Sequence, residues 1–148
     1  MMAQIISATQ SRSTGHLAGK QGAKRAHFLF QARELLDRAR SYAADGRFDQ
    51  ALEVAYQSAL RTAGARVAVS VVSRRRRLPT SAWDRLALVG AGEKQWAEVF
   101  KSYSRTRARV ASGLDATPDE EYVYGLMQQA AQFLDESETE TILGSFAA

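Results

Sequence analysis

An all-α fold, a bundle of five helices behind a flexible N-terminal tail, is what this sequence predicts. Three observations carry the prediction. Apolar residues recur at helical spacing over five segments, glycine stops and capping residues fall between those segments, and no β-branched run has a neighbour to pair with.

The elements follow in order. Residues 1–25 are mostly Ser, Thr, Gly, Gln and Lys without a sustained period, and read as a flexible basic tail. From Phe28 the spacing turns helical: Phe28, Ala32, Leu35, Ala39 and Tyr42 form one stripe, and Gly46 is the expected C-terminal cap. The second helix is expected from Phe48 to Val72, with Phe48, Leu52, Ala55, Ala59, Ala63, Val67 and Val71 inward. Its alanines allow tight packing, and Gly64 marks a close approach or a bend. "VAVSVV" is β-branched, but with no partner strand nearby it is read as helix.

Pro79 then blocks continuation, and "SAWD" offers a capping box in which Ser81 accepts from the third backbone N–H. A short helix runs to about Val89 and ends at "GAG". The fourth spans Glu93 to Ser112, with Trp96, Val99, Phe100, Tyr103 and Val110 inward and Gly113 as its stop. "TPDE" starts the fifth, with Thr117 as cap, Pro118 at the first helical position and Glu120 closing the box. Val123, Leu126, Met127, Ala130, Phe133 and Leu134 make its apolar face. The expected organisation is a tail at 1–25, one helical domain at 26–136, and a frayed acidic end at 137–148.

A chain of 148 residues is about one domain, and its 45% hydrophobic and 24% charged content is ordinary for a globular protein. No apolar run approaches the ~20 residues that span a bilayer, the first residues lack the charged and apolar regions of a secretory signal, and a cytoplasmic location is the default expectation. The absence of cysteine excludes disulfides and thiolate metal sites.

Charge is unevenly spread. Residues 1–25 hold four basic side chains and no acid, residues 26–113 sixteen basic and eight acidic, and residues 114–148 eight acids with no Lys or Arg. A basic body with an acidic end points to an anionic partner, or to charges satisfied inside the protein or across a dimer. Arg outnumbers Lys sixteen to four, the composition of a GC-rich bacterial genome.

Catalytic parts are scarce. The two histidines are His16 in the expected tail and His27 at the mouth of the first helix, where it reads as a surface residue. With neither Cys nor His in the body, zinc sites and nucleophile–His pairs lack their components. Glu120, Glu121, Asp135 and Glu136 cluster near helix ends, where carboxylates serve as dipole partners or solvated charge. "GAGEKQW" has no preceding strand and is no phosphate loop. Trp83 and Trp96 read as core anchors. We therefore expect no catalytic residue, no metal and no cofactor.

The feature left over is "RRRR" at Arg74–Arg77. Four guanidinium groups in one link cannot be buried without partners, since each desolvated charge would cost several kcal/mol. Three readings stand: a solvated joint neutralising the carbonyls that end the second helix, a contact with the acidic segment of the same or a neighbouring chain, or a nucleic-acid contact. Arg105, Arg107 and Arg109 offer a second strip, although alternate residues on a helix do not share one face.

Two family resemblances attach to these residues. "ARSYAADGRFDQALEVAYQSALRTAG" resembles the helix–turn–helix of a tetratricopeptide repeat, but no second copy follows at a period of about 34 residues, and such repeats need neighbours to share a core. "QARELLDRARSYAADGRFDQALEVAYQSALRTAGARVA", "RRRRLPTSAWDRLALV", "WAEVFKSYSRTRARVASG" and "TPDEEYVYGLMQQAAQFLDE" together resemble the HEPN superfamily, and within it the actinobacterial SAV-type HEPN-domain family, over residues 27–136. The resemblance implies a helical bundle, often dimeric, from a superfamily that includes RNase toxins and nucleotide- or RNA-binding partners.

HEPN ribonucleases carry an Arg with a His a turn or so further along. Here no His follows Arg105, Arg107 or Arg109, Arg85 leads only to Gly90, Ala91 and Gly92, and Arg12 precedes His16 within the tail. The resemblance thus implies the fold while the catalytic pair is missing. The function expected is a non-catalytic HEPN-type protein with no membrane partner, which binds RNA, DNA or a nucleotide-handling protein through Arg74, Arg75, Arg76, Arg77, Arg105, Arg107 and Arg109, as a homodimer. The alternatives are a ribonuclease with a non-standard site and a protein–protein interaction module.

Overall fold

In a computed structural model, the backbone of residues 2–147 and the side chains of residues 19–140 are described. The described residues form five α-helices, α1 (Met2–Ala44), α2 (Phe48–Ala68), α3 (Ala82–Ala87), α4 (Ala91–Ala111) and α5 (Glu120–Ala147), with a 3-10 turn at Val71–Arg74. No strand occurs among the described residues. The all-α expectation holds.

α1 and α2 form the most closely packed hairpin, turned by Gly46 at φ 75°. Arg47 N–H donates to the Tyr42 carbonyl at 2.8 Å and Gly46 N–H to Ala43 at 3.0 Å, the paired bonds of a glycine-terminated helix. Gly113, at φ 74°, ends α4 in the same way, with Leu114 N–H reaching the Arg109 carbonyl at 2.9 Å. Alanines make the hairpin close: Ala32, Ala39, Ala51, Ala55 and Ala59 are each 0% exposed. A Cβ on Gly64 would lie 3.4 Å from the Phe28 ring, so the expected close approach is to α1.

The rest of the core is aromatic. Trp83 of α3 stacks on Phe100 of α4 at 5.1 Å between centroids, and Phe100 lies 5.4 Å from Phe133 of α5. Trp96 stands 5.1 Å from Phe133. Both tryptophans are core anchors, as expected: Trp83 is buried and donates to the Tyr56 hydroxyl at 3.0 Å. Val123, Leu126, Met127, Ala130, Phe133 and Leu134 are all buried, so the apolar face read for the last helix is the one that packs.

Four boundaries differ from expectation. α1 does not begin near Phe28: residues 19–25 belong to the helix, and Arg25 donates to the Ser137 carbonyl at 2.7 Å, a tether that polarity alone does not reveal. The side chains of residues 1–18 of the expected tail lie outside the described residues. α2 stops at Ala68, because Ser70 turns extended (ψ 163°) and its hydroxyl captures the Val67 carbonyl at 2.8 Å. The cap of α5 is Asp119, whose Oδ1 accepts from Tyr122 N–H at 3.0 Å, and Thr117 and Pro118 precede the helix. The acidic end is not frayed at 137–140: Ser137 is fully buried, and Glu138 and Glu140 are both paired to arginines. Ser81 does cap α3, accepting from Asp84 N–H at 3.4 Å.

Candidate nucleic-acid interface

The chain leaving α2 is built to present charge. Val72 is 1% exposed and pins the 3-10 turn to the body, while Arg75 N–H closes the turn on the Val72 carbonyl at 3.1 Å. Beyond it the backbone opens to extended geometry at Arg75 (φ −70°, ψ 140°). The far end is held by Arg85, which donates through Nε to the Pro79 carbonyl. Between these two anchors Arg74, Arg75, Arg76 and Arg77 are all exposed. None of their side chains makes a hydrogen bond or ion pair with the described residues.

Their isolation is informative because other arginines have taken the acids. Arg33 reaches Asp135 at 3.1 Å and Glu138 at 2.8 Å. Arg66, buried, donates to Glu93 and Glu140 at 2.9 Å each and through Nε to Ser137 Oγ at 2.7 Å. Glu136 accepts from Trp96 Nε1 at 2.9 Å. Asp135, Glu136, Glu138 and Glu140 of α5 are thus engaged by α1, α2 and α4, and not by the arginine run of their own chain. Arg25 sits beside Arg66: burial, and then the neighbouring guanidinium, pull its pKa below the ordinary arginine range.

The second expected strip divides. Arg107 grips Glu53 of α2 with two bonds of 2.6 Å and lies 5.2 Å from the centre of the Tyr56 ring. These bonds raise the Arg107 pKa against the weaker opposing effect of burial. Arg109 is committed to Asp115 through bonds of 2.8 and 3.2 Å. Arg105 is exposed and makes no ion pair with the described residues. The strip therefore contributes one uncommitted cation, because Arg107 faces the body and is spent on the α2–α4 contact.

Sequence reading missed a cleft of about 220 Å³ directly beside the arginine loop, bordered by Ser73 and Leu78 at the two ends of the run. Phe28, Leu60, Gly64 and Val67 supply its apolar surface, and Lys24 and Arg85 stand among its lining residues. The only hint in the sequence is the narrowing of the α2 stripe to Ala63 and Gly64, which leaves room against α1. His27 is exposed on α1, away from any other histidine among the described residues. No group of three or more His, Cys, Asp or Glu suited to a metal occurs among the described residues. No helix there is long and apolar enough to cross a membrane.

The family model of SAV-type HEPN domains matches residues 39–138, from the last turn of α1 through most of α5. No curated protein and no solved structure matches the chain.

Proposed function

Because this chain belongs to the SAV-type HEPN family, we propose that it is a non-catalytic member that binds nucleic acid through the arginine loop at Arg74–Arg77. The observation that carries the reading is the combination of four adjacent, exposed guanidinium groups that have no partner among the described residues with Asp135, Glu138 and Glu140 already engaged by Arg33 and Arg66. A loop anchored at both ends presents these charges without the entropy cost of ordering a free tail. Guanidinium forks match phosphate oxygens geometrically, and contacts to phosphate carry no base sequence. Arg105 extends the surface on α4; Arg107 and Arg109 serve the fold. The non-catalytic part of the reading is supported by the absence of any histidine after His27, which leaves no imidazole for the arginines of α4 to work with.

Fluorescence anisotropy with a labelled duplex tests the proposal. Four neutralised phosphates give a log–log salt slope of about −3.6, hence about a hundredfold loss of affinity between roughly 50 and 200 mM salt. Replacing Arg74, Arg75, Arg76 and Arg77 together with Gln should flatten that slope and leave the melting temperature unchanged. Absence of binding by the parent protein at the lower salt makes the run a solvated joint.

A further inference from the structure

The cleft beside the arginine loop has a chemistry that phosphate contacts do not use. We propose that it is a docking site for an acidic protein segment, which seats one apolar side chain between α1 and α2 and lays its flanking carboxylates on the surrounding cations. Such a segment competes with nucleic acid for the same loop. The inference needs only that the arginines are available, and stands or falls separately from nucleic-acid binding.

Three observations specify the occupant. The walls are hydrocarbon: Phe28 from α1, Leu60 and Val67 from α2, and Leu78 from the loop, over a floor opened by Gly64. Polar groups are Lys24, Ser73 and Arg85, and the last is already turned to the Pro79 carbonyl through Nε. A nucleobase entering between such walls would lose hydrogen bonds from its ring edges with only Lys24, Ser73 and Arg85 to replace them, whereas an aliphatic side chain has none to lose. The second observation is charge. Lys24 and Arg85 are on the lining, and Ser73 and Leu78, which flank the exposed run Arg74–Arg77 in the chain, both border the cleft. An apolar anchor entering here has Lys24 and Arg85 beside it and the arginine loop adjoining, and so selects acidic neighbours. The third is occupancy: Asp135, Glu138 and Glu140 of α5 are engaged by Arg33 and Arg66 and are not offered to the cleft.

The test uses the full chain and two fluorescein-labelled decapeptides of Asp and Glu, one with a central Leu and one with Ala at that position. Anisotropy at low salt should show the Leu peptide binding about tenfold more tightly, the effect of burying the larger side chain. Leu78→Gln, in the loop and outside the helix core, should reduce that difference to less than about twofold, and so should Ala82→Gln, since Ala82 at the start of α3 also lines the cleft. Unlabelled Leu peptide should also displace labelled oligothymidylate where that binds. Equal affinity for the two peptides, or no binding of either, overturns the proposal. So does an oligothymidylate affinity that falls in Leu78→Gln while the peptide preference stays, because the cleft would then hold a base.

Discussion

Arg66 Nε lies 2.7 Å from Ser137 Oγ, and the other end of the same guanidinium bonds both Glu93 and Glu140. One buried side chain at the end of α2 thereby holds the start of α4 and the middle of α5, while its charge sits 5.3 Å from the Phe133 ring centre. Ser137 returns its hydroxyl proton to the Phe133 carbonyl at 2.8 Å and accepts Arg25 at its own carbonyl, so α1 joins the same junction. Four helices meet where sequence polarity suggested an unravelling end.

Arg66→Ala should therefore be among the most damaging single changes. It strands Glu93, whose side chain is 18% exposed, and removes two further bonds. Breaking a buried pair from one side costs about 3 kcal/mol, which urea unfolding reads as a lower midpoint at unchanged slope. A loss below about 1 kcal/mol would show that the junction relaxes around the deletion.

The Glu53–Arg107 pair carries a pH signature. Hydrogen bonds from Arg107 hold the Glu53 carboxyl below its ordinary value of 4.5, with burial acting in the opposite sense. A depressed folded pKa lends stability that is complete above 4.5 and is lost as the pH falls through the depressed value. Parent protein should thus melt above Glu53→Gln at neutral pH, with the gap closing in acid. A gap that stays constant in acid would rule out the ion pair as its source. Asp115, held down by Arg109 in the same direction, keeps some acid sensitivity in the variant.

Gly64 sets a third expectation. Its Cβ position clears the Phe28 ring by 3.4 Å, and its backbone is helical, so Gly64→Ala gains helix propensity at little steric cost. Thermal melting should show a stabilisation of about 0.5–1 kcal/mol. Destabilisation would mean that Phe28 cannot yield.

Helix existence was legible in the sequence because periodicity reports burial, and the faces of α4 and α5 were read from it correctly. The ends were less legible. Ser70 stops α2 through its side chain and Asp119 displaces Thr117 as a cap, and both outcomes depend on which hydroxyl or carboxylate reaches a backbone group first. The fate of each arginine was not legible at all. Arg107 and Arg66 are spent on acids many positions away, Glu53 and Glu140, while Arg74–Arg77 have none, and only the three-dimensional pairing separates the two groups.

The last expectation concerns ribonuclease activity. A positioned general acid–base contributes about 10²- to 10⁴-fold to rate. His27 is exposed on α1, and no histidine follows it, so α4 presents Arg105 without an imidazole on its own helix or any later one. Labelled RNA should remain intact over hours with the purified protein, with or without divalent metal. Cleavage that persists in His27→Ala and disappears in Arg105→Ala would overturn the non-catalytic reading and favour a ribonuclease with a non-standard site that uses Arg105.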